Sequence, residues 1–156
     1  MGAALSAADR AEIAQLSARY SWAIDSRDAD HFAALFIPDG AFHDPNGEHR
    51  GAAALRQVVE AMAVADMAVG LQHWTANALY AGDGESCRGR SMMLGVQHAD
   101  GNSRVAFIGM YYDEFVKVDS EWRFASRTWL PWSVERAAKE LGDFTIESAA
   151  SEAARG

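Results

Sequence analysis

The sequence predicts an α+β domain, with three N-terminal helices packed on a strongly curved, mainly antiparallel sheet. Three observations lead there. Apolar residues recur at helical spacing as far as about Ala65, and strand-like segments take over after Gly70. The turn pairs Asp83-Gly84, Asp100-Gly101 and Asp119-Ser120 then divide the second half into long hairpins. A curved sheet covered by helices on its concave side makes a cone-shaped α+β barrel enclosing a cavity.

The first helix is expected over about Ala8–Ile24, with Ser6 as N-cap and Asp9 and Glu12 in its first turn. Ile13, Leu16, Tyr20 and Ile24 share one stripe, so Tyr20 points inward. A second short helix, Ala29–Phe36, carries Phe32, Leu35 and Phe36. Ile37-Pro38-Asp39-Gly40 reads as a turn, Ala41–Asp44 as a short strand, and Pro45-Asn46-Gly47 as another turn. Gly51 opens a third helix, about Ala52–Ala65, with Leu55, Val58, Val59 and Met62 at helical spacing. Four strands follow: Leu71–Tyr80, Cys87–His98, Arg104–Val118 and Glu121–Val134. Their length suits a curved sheet, with Gly89, Gly95 and Gly109 as bending points. Residues 1–134 form one domain. The segment 135–156 is a tail, lid or disordered extension with Leu141, Phe144 and Ile146 as its only anchors.

At 156 residues, 49% of them apolar, the chain can bury a core without staples. A net charge of −8 with no basic run excludes nucleic acid as a partner. The single Cys87 forms no internal disulfide, which fits a reducing cytoplasm. No segment has the apolar length of a membrane span, and the N-terminus lacks the pattern of a signal peptide. Gly2 and Ser6 match a myristoylation pattern only loosely.

The chemistry concentrates at Ala18–Asp28, ARYSWAIDSRD. Asp25 sits in the last turn of a helix, where the macrodipole disfavours a carboxylate by about 0.3–1 kcal/mol. An imidazole would compensate, and His73 in GLQHWTAN is an isolated polar group at the start of an apolar strand. Asp25 is therefore expected to orient His73 as a base at the floor of a pocket. Tyr20 and Asp25 are about 140° apart on an ideal helix, so both reach one pocket only if the helix ends near Asp25.

The segments YSWAIDSRDADHFAALFIPDGAFHDPNG, GLQHWTAN and GMYYDEFVKVDSEWRFASRT, in this order, resemble the SnoaL-like branch of the nuclear transport factor 2 superfamily. The resemblance covers about Ala8–Trp132. It implies the cone fold, and the lyases of the group are the nearest local match. Bile acid 7α-dehydratase carries a Tyr, an Asp five residues on, a later His and a late Arg, matched here by Tyr20, Asp25, His73 and Arg127. Scytalone dehydratase shares the Asp–His dyad. Hexachlorocyclohexane dehydrochlorinase has the dyad with Lys in the Tyr position, so Tyr20 favours loss of water.

The resemblance thus implies a cofactor-independent lyase, a dehydratase acting on a hydrophobic cyclic compound such as a steroid or polyketide. His73 is the base, Asp25 fixes its tautomer, Tyr20 hydrogen-bonds the leaving hydroxyl or an enolate, and Arg127 holds a carboxylate or oxyanion. Pocket walls are drawn from Trp22, Phe32, Phe36, Trp74, Met92, Phe107 and Trp129, about half of the sheet residues facing inward. Tyr111 and Tyr112 lie on opposite faces of one strand, so only one of them can reach the pocket. Alternatives stay open at several positions. Tyr20 is also a plausible core tyrosine, and Arg127 can pair with Asp113 or Glu114 across the hairpin. An isomerase or cyclase uses the same dyad, and a non-catalytic binding or assembly protein keeps only the cone. His31, His43, His49, His73 and His98 show no metal-ligand spacing, and no metal or other cofactor is expected. A small hydrophobic substrate is the expected partner. A homodimer or homotrimer is expected too, because Trp122, Trp129 and Trp132 cannot all face one cavity.

Overall fold

Ser6 starts the first helix with a capping box. Its hydroxyl accepts from the Asp9 backbone N–H (3.1 Å), while the Asp9 carboxylate accepts from the Ser6 backbone N–H (3.1 Å). From there the computed structural model, which describes residues 4–65 and 69–143, runs α1 (Ala7–Asp25), α2 (Ala29–Ala34), β1 (Phe36–Asp44), β2 (Gly47–Arg50), α3 (Gly51–Val64), β3 (Leu71–Gly82), β4 (Ser86–Ala99), β5 (Asn102–Val118), β6 (Glu121–Pro131) and α4 (Val134–Asp143). The six strands form one curved, open sheet in the order β2-β1-β6-β5-β4-β3.

The four long strands lie close to their expected bounds because alternation and turn residues agree there. Asp100 (φ 52°) and Gly101 (φ 75°) both have positive φ, the requirement of a two-residue hairpin turn of primed type. Three local expectations are corrected. The second helix ends at Ala34, and Phe36 already belongs to β1. Ile37–Gly40 lies within β1 rather than between elements, and the register against β6 shifts there, between Phe36 and Ala41. Pro38 has no N–H for a ladder, so the segment is extended but irregular. The strand Gly47–Arg50 was not anticipated, since GEHR is polar and largely exposed. β1 also pairs with β6 in parallel, a long-range contact that a run of hairpins does not suggest.

The core lies between the helices and the inner face of the sheet. Ile13, Leu16, Tyr20 and Ile24 of α1, Phe32 of α2 and Leu55 and Val59 of α3 are buried against Phe115, Trp122 and Phe124. Burying each large apolar side chain contributes about 1.5–3 kcal/mol. Gly89, Gly95 and Gly109, expected as bends, seat aromatic rings. A Cβ at Gly95 would stand 2.5 Å from the Phe107 ring, and one at Gly89 would stand 2.7 Å from that of Phe115. The ladder does shift at Gly95/Val96. Of the tail, α4 occupies Val134–Asp143. Phe144 and Ile146 lie outside the described residues.

Candidate active site

Asp25 is the last residue of α1, and His73 is the third residue of β3. The helix ends where the geometry needs it to, because Arg27 takes a positive φ of 63° and reverses the chain. The Asp25 Oδ1 lies 2.6 Å from the His73 Nδ1, and the same carboxylate accepts the His73 backbone N–H, at 2.9 Å through Oδ2. One acidic group thus fixes both the backbone and the ring of its partner. An ionised carboxylate only accepts, so Nδ1 is the donor in this contact, and in the neutral ring the lone pair is then on Nε2. Nε2 has no hydrogen-bond partner among the described residues. The imidazole is 5% exposed and the carboxylate 21%. Asp25 borders a cavity of about 500 Å³ with Trp22, Arg27, Met62, Leu71 and His98, whose walls do not include His73. The carboxylate is therefore the outer partner and the imidazole the inner one, beside the Phe107 ring at 5.9 Å.

A second polar cluster lies deeper. Asp113 and Arg127 face each other across β5 and β6 and form a bidentate pair, Nε to Oδ1 and Nη2 to Oδ2, both 2.8 Å. Arg127 is wholly buried, its guanidinium stacked on the rings of Tyr111 (4.1 Å), Tyr20 (4.2 Å) and Phe124 (4.4 Å). Burial alone would lower the Arg127 pKa, but the Asp113 carboxylate outweighs it and keeps the guanidinium charged. Two edges of the fork are thus committed to Asp113, and only Nη1 remains without a partner.

Tyr20 is fully buried among Phe32, Phe36, Phe42, Tyr111 and Phe124. Its hydroxyl lies near that of Tyr111, close enough for electrostatic influence but outside hydrogen-bond geometry. Burial pushes the Tyr20 pKa well above its ordinary value and that of Tyr111 to about 12. Both phenols stay protonated near neutral pH.

The expected wall residues divide sharply. Phe107 and Trp129 are partly buried on the inner face, in edge-to-face contact at 5.8 Å. Phe32 and Phe36 belong to the aromatic core around Tyr20. Trp22 is 78% exposed, at the mouth beside Asp25. Trp74 (60% exposed) and Met92 (43% exposed) are on the outer face, because strand parity turns away the neighbours of inward His73 and Met93. They do not reach the interior of this chain. Counting in twos along β3 from His73 would have sent Trp74 outward and singled out Thr75, whereas Met92 and Ser91 on β4 are placed only by the register of the two strands. Thr75 and Ser91 present buried hydroxyls with no partner, as does the Trp129 Nε1–H among the nitrogens.

Residues 6–128 match the family model described as the SnoaL-like domain. The chain is similar to a protein of unknown function from Mycobacterium tuberculosis, Rv3472, at 31% identity and a TM-score of 0.74, over 81% of this chain and 73% of that one. It is also similar to a protein of unknown function with a cystatin-like fold from Nostoc punctiforme, at 27% identity and a TM-score of 0.76, over 83% of this chain and 96% of that one. A candidate scytalone dehydratase from Novosphingobium aromaticivorans has the same fold, at 23% identity and a TM-score of 0.69, over 81% of this chain and 85% of that one. No curated protein matches the chain in sequence. Among the described residues, no helix is long and apolar enough to cross a membrane.

Proposed function

This chain belongs to the SnoaL-like domain family, and from that premise we propose that it is a cofactor-independent lyase that removes water from a hydrophobic cyclic substrate. The family contains enzymes such as scytalone dehydratase and polyketide cyclases, and an elimination is the reaction for which this site has the parts. The observation that carries the reading is the 2.6 Å contact of Asp25 with His73 Nδ1, made by a carboxylate that also holds the His73 backbone. It leaves Nε2 as a base on the inner side. Nε2 takes a proton from carbon, the freed pair forms the double bond, and the hydroxyl leaves as water with the proton that Nε2 then carries. Asp25 stabilises the imidazolium in between, and such a transfer contributes about 10²–10⁴-fold. Tyr20 packs edge-to-face on Tyr111, and Arg127, paired with Asp113, is a buried charge behind both phenols rather than an open clamp.

The test has two arms. Nitrogen NMR of His73 is expected to show Nδ1 protonated and Nε2 bare, and Asp25→Asn is expected to abolish that preference. Hydroxylated cyclic ketones incubated with the chain are expected to lose one water by mass, and His73→Ala is expected to lose that turnover while remaining folded. Water loss undiminished in His73→Ala would sink the reading.

We also propose that the outer sheet face, where Trp74, Met92 and Ile108 are exposed, packs against a second copy of the chain. Light scattering of Trp74→Lys with Ile108→Lys checks it. An unchanged mass would rule that face out.

A further inference from the structure

Among the described residues, six buried polar side-chain atoms lack a hydrogen-bond partner: Tyr20 Oη, His49 Nε2, Thr75 Oγ1, Ser91 Oγ, Arg127 Nη1 and Trp129 Nε1. His49 is on the edge strand beside Asp44, at 3.4 Å. The others belong to the interior that contains His73. Buried donors without acceptors are uncommon and costly, so a group of them in one interior marks a place built for an occupant.

Two of these atoms stand in a defined relation to the base. The ladder aligns His73 with Gly95, and Gly95 with Phe107. One step along, on the same face, it aligns Thr75 with Met93, and Met93 with Gly109. Gly109 has no side chain, and the Trp129 indole nitrogen occupies the space where a Cβ would sit. The row next to His73 therefore carries the Thr75 hydroxyl at one end and the Trp129 N–H at the other. The buried Met93 (5% exposed) is the floor between them. Strand spacing makes the row about 10 Å wide and places it about 7 Å from the His73 row. Indole nitrogen only donates, so what it meets must be an acceptor. The two clusters hold two acidic side chains, Asp25 and Asp113, against one guanidinium, Arg127, which is already paired with Asp113. That balance favours an uncharged oxygen over a carboxylate.

We propose that Thr75 and Trp129 are specificity-determining donors, holding two uncharged oxygen atoms of the substrate at opposite ends of the Thr75–Met93–Gly109 row that borders His73. This rests on the dyad being the base of the site. The row sets which carbon is presented to Nε2, and it selects a flat ring system with oxygen at both ends over the bare hydrocarbon. Ser91, two residues from Met93 on the same face, lies one row further from His73.

The probes are naphthalene-2,6-diol and naphthalene, titrated by calorimetry into the full chain and into Thr75→Val and Trp129→Phe. The Trp129 Nε1–H resonance, identified by its loss in Trp129→Phe, is followed in parallel. The diol is expected to bind the wild-type chain about 100-fold more tightly than naphthalene, at about tenfold for each of two hydrogen bonds. Each variant is expected to lose about tenfold of that preference, and the indole resonance is expected to move with the diol alone. A diol that binds no more tightly than naphthalene overturns the proposal. So does a preference that survives both substitutions, since the orphaned atoms are then satisfied by water. The His73 nitrogen spectra separate this from the dyad. Lost tautomer preference with the diol preference intact removes the base and leaves the row, and the reverse removes the row alone.

Discussion

Two acid–base pairs in this molecule have similar contacts and different capacity left over. Asp113–Arg127 joins neighbouring strands, is sealed from water, and spends two arms of the guanidinium on two carboxylate oxygens. Asp25–His73 joins a helix end to a strand, keeps its carboxylate 21% exposed, and spends only one ring nitrogen. The first pair satisfies itself almost completely and has little left to offer a substrate. The second leaves a lone pair unspent, and a lone pair of this kind is what proton transfer requires. The difference is in remaining valence, since both contacts are short, 2.6 Å and 2.8 Å.

That contrast breaks most visibly at Arg127. Arg127→Ala strands the Asp113 carboxylate, 2% exposed, without a counter-charge, and breaking such a pair costs about 3–5 kcal/mol. Chemical denaturation should show a loss of that order. Replacing the pair with Asp113→Leu and Arg127→Met should recover most of it, because the charges then need no compensation. A single variant within about 1 kcal/mol of wild type would mean that water reaches the pair and that it behaves as a surface salt bridge.

Asp25→Asn sharpens the comparison from the other side. The amide oxygen can still accept the His73 backbone N–H, so stability should fall by only about 1 kcal/mol. The amide nitrogen can instead donate to Nδ1, which moves the ring proton to Nε2 and removes the base. Turnover should therefore drop by about 10²–10⁴-fold while the denaturation midpoint moves little. A stability loss as large as that of Arg127→Ala, with no change in His73 tautomer, would make the two pairs alike and both structural.

Legibility in the sequence followed the range of the interaction. The long strands were visible because parity, β-branched and aromatic residues and turn pairs agree locally. The polar β2 and the parallel β1–β6 pairing were not, since neither has a local signature. Asp25 and His73 were legible because each is anomalous where it stands, an acid at a helix C-terminus and a lone imidazole in an apolar strand. Arg127 was legible as a residue but not as a role. Only the register across the Asp119-Ser120 turn, which sets Asp113 against it, decides between clamp and salt bridge. Trp74 and Met92 drew attention by their size, although parity along β3 already sent Trp74 outward, and only the register of β3 with β4 does so for Met92.

The smallest expected effect concerns a third acid, which extends the comparison to the start of α1. The Asp9 Oδ1 accepts from the Lys117 ammonium (2.6 Å) and the Trp122 indole N–H (2.9 Å), while Oδ2 accepts from the Ser6 hydroxyl (2.6 Å). Lys117, followed by Ser6 and Trp122, holds its pKa well below the usual carboxylate range. The folded value lies below the unfolded one, so the stabilisation is complete above the ordinary carboxylate pKa, near 3.8. It is lost as the pH falls through that value toward the folded one. Asp9→Asn should lower the denaturation midpoint at neutral pH, and the gap to wild type should narrow steadily below about pH 4. A gap that stayed constant down to pH 2 would mean that Asp9 contributes through hydrogen bonds its amide can replace in part, and not through its charge.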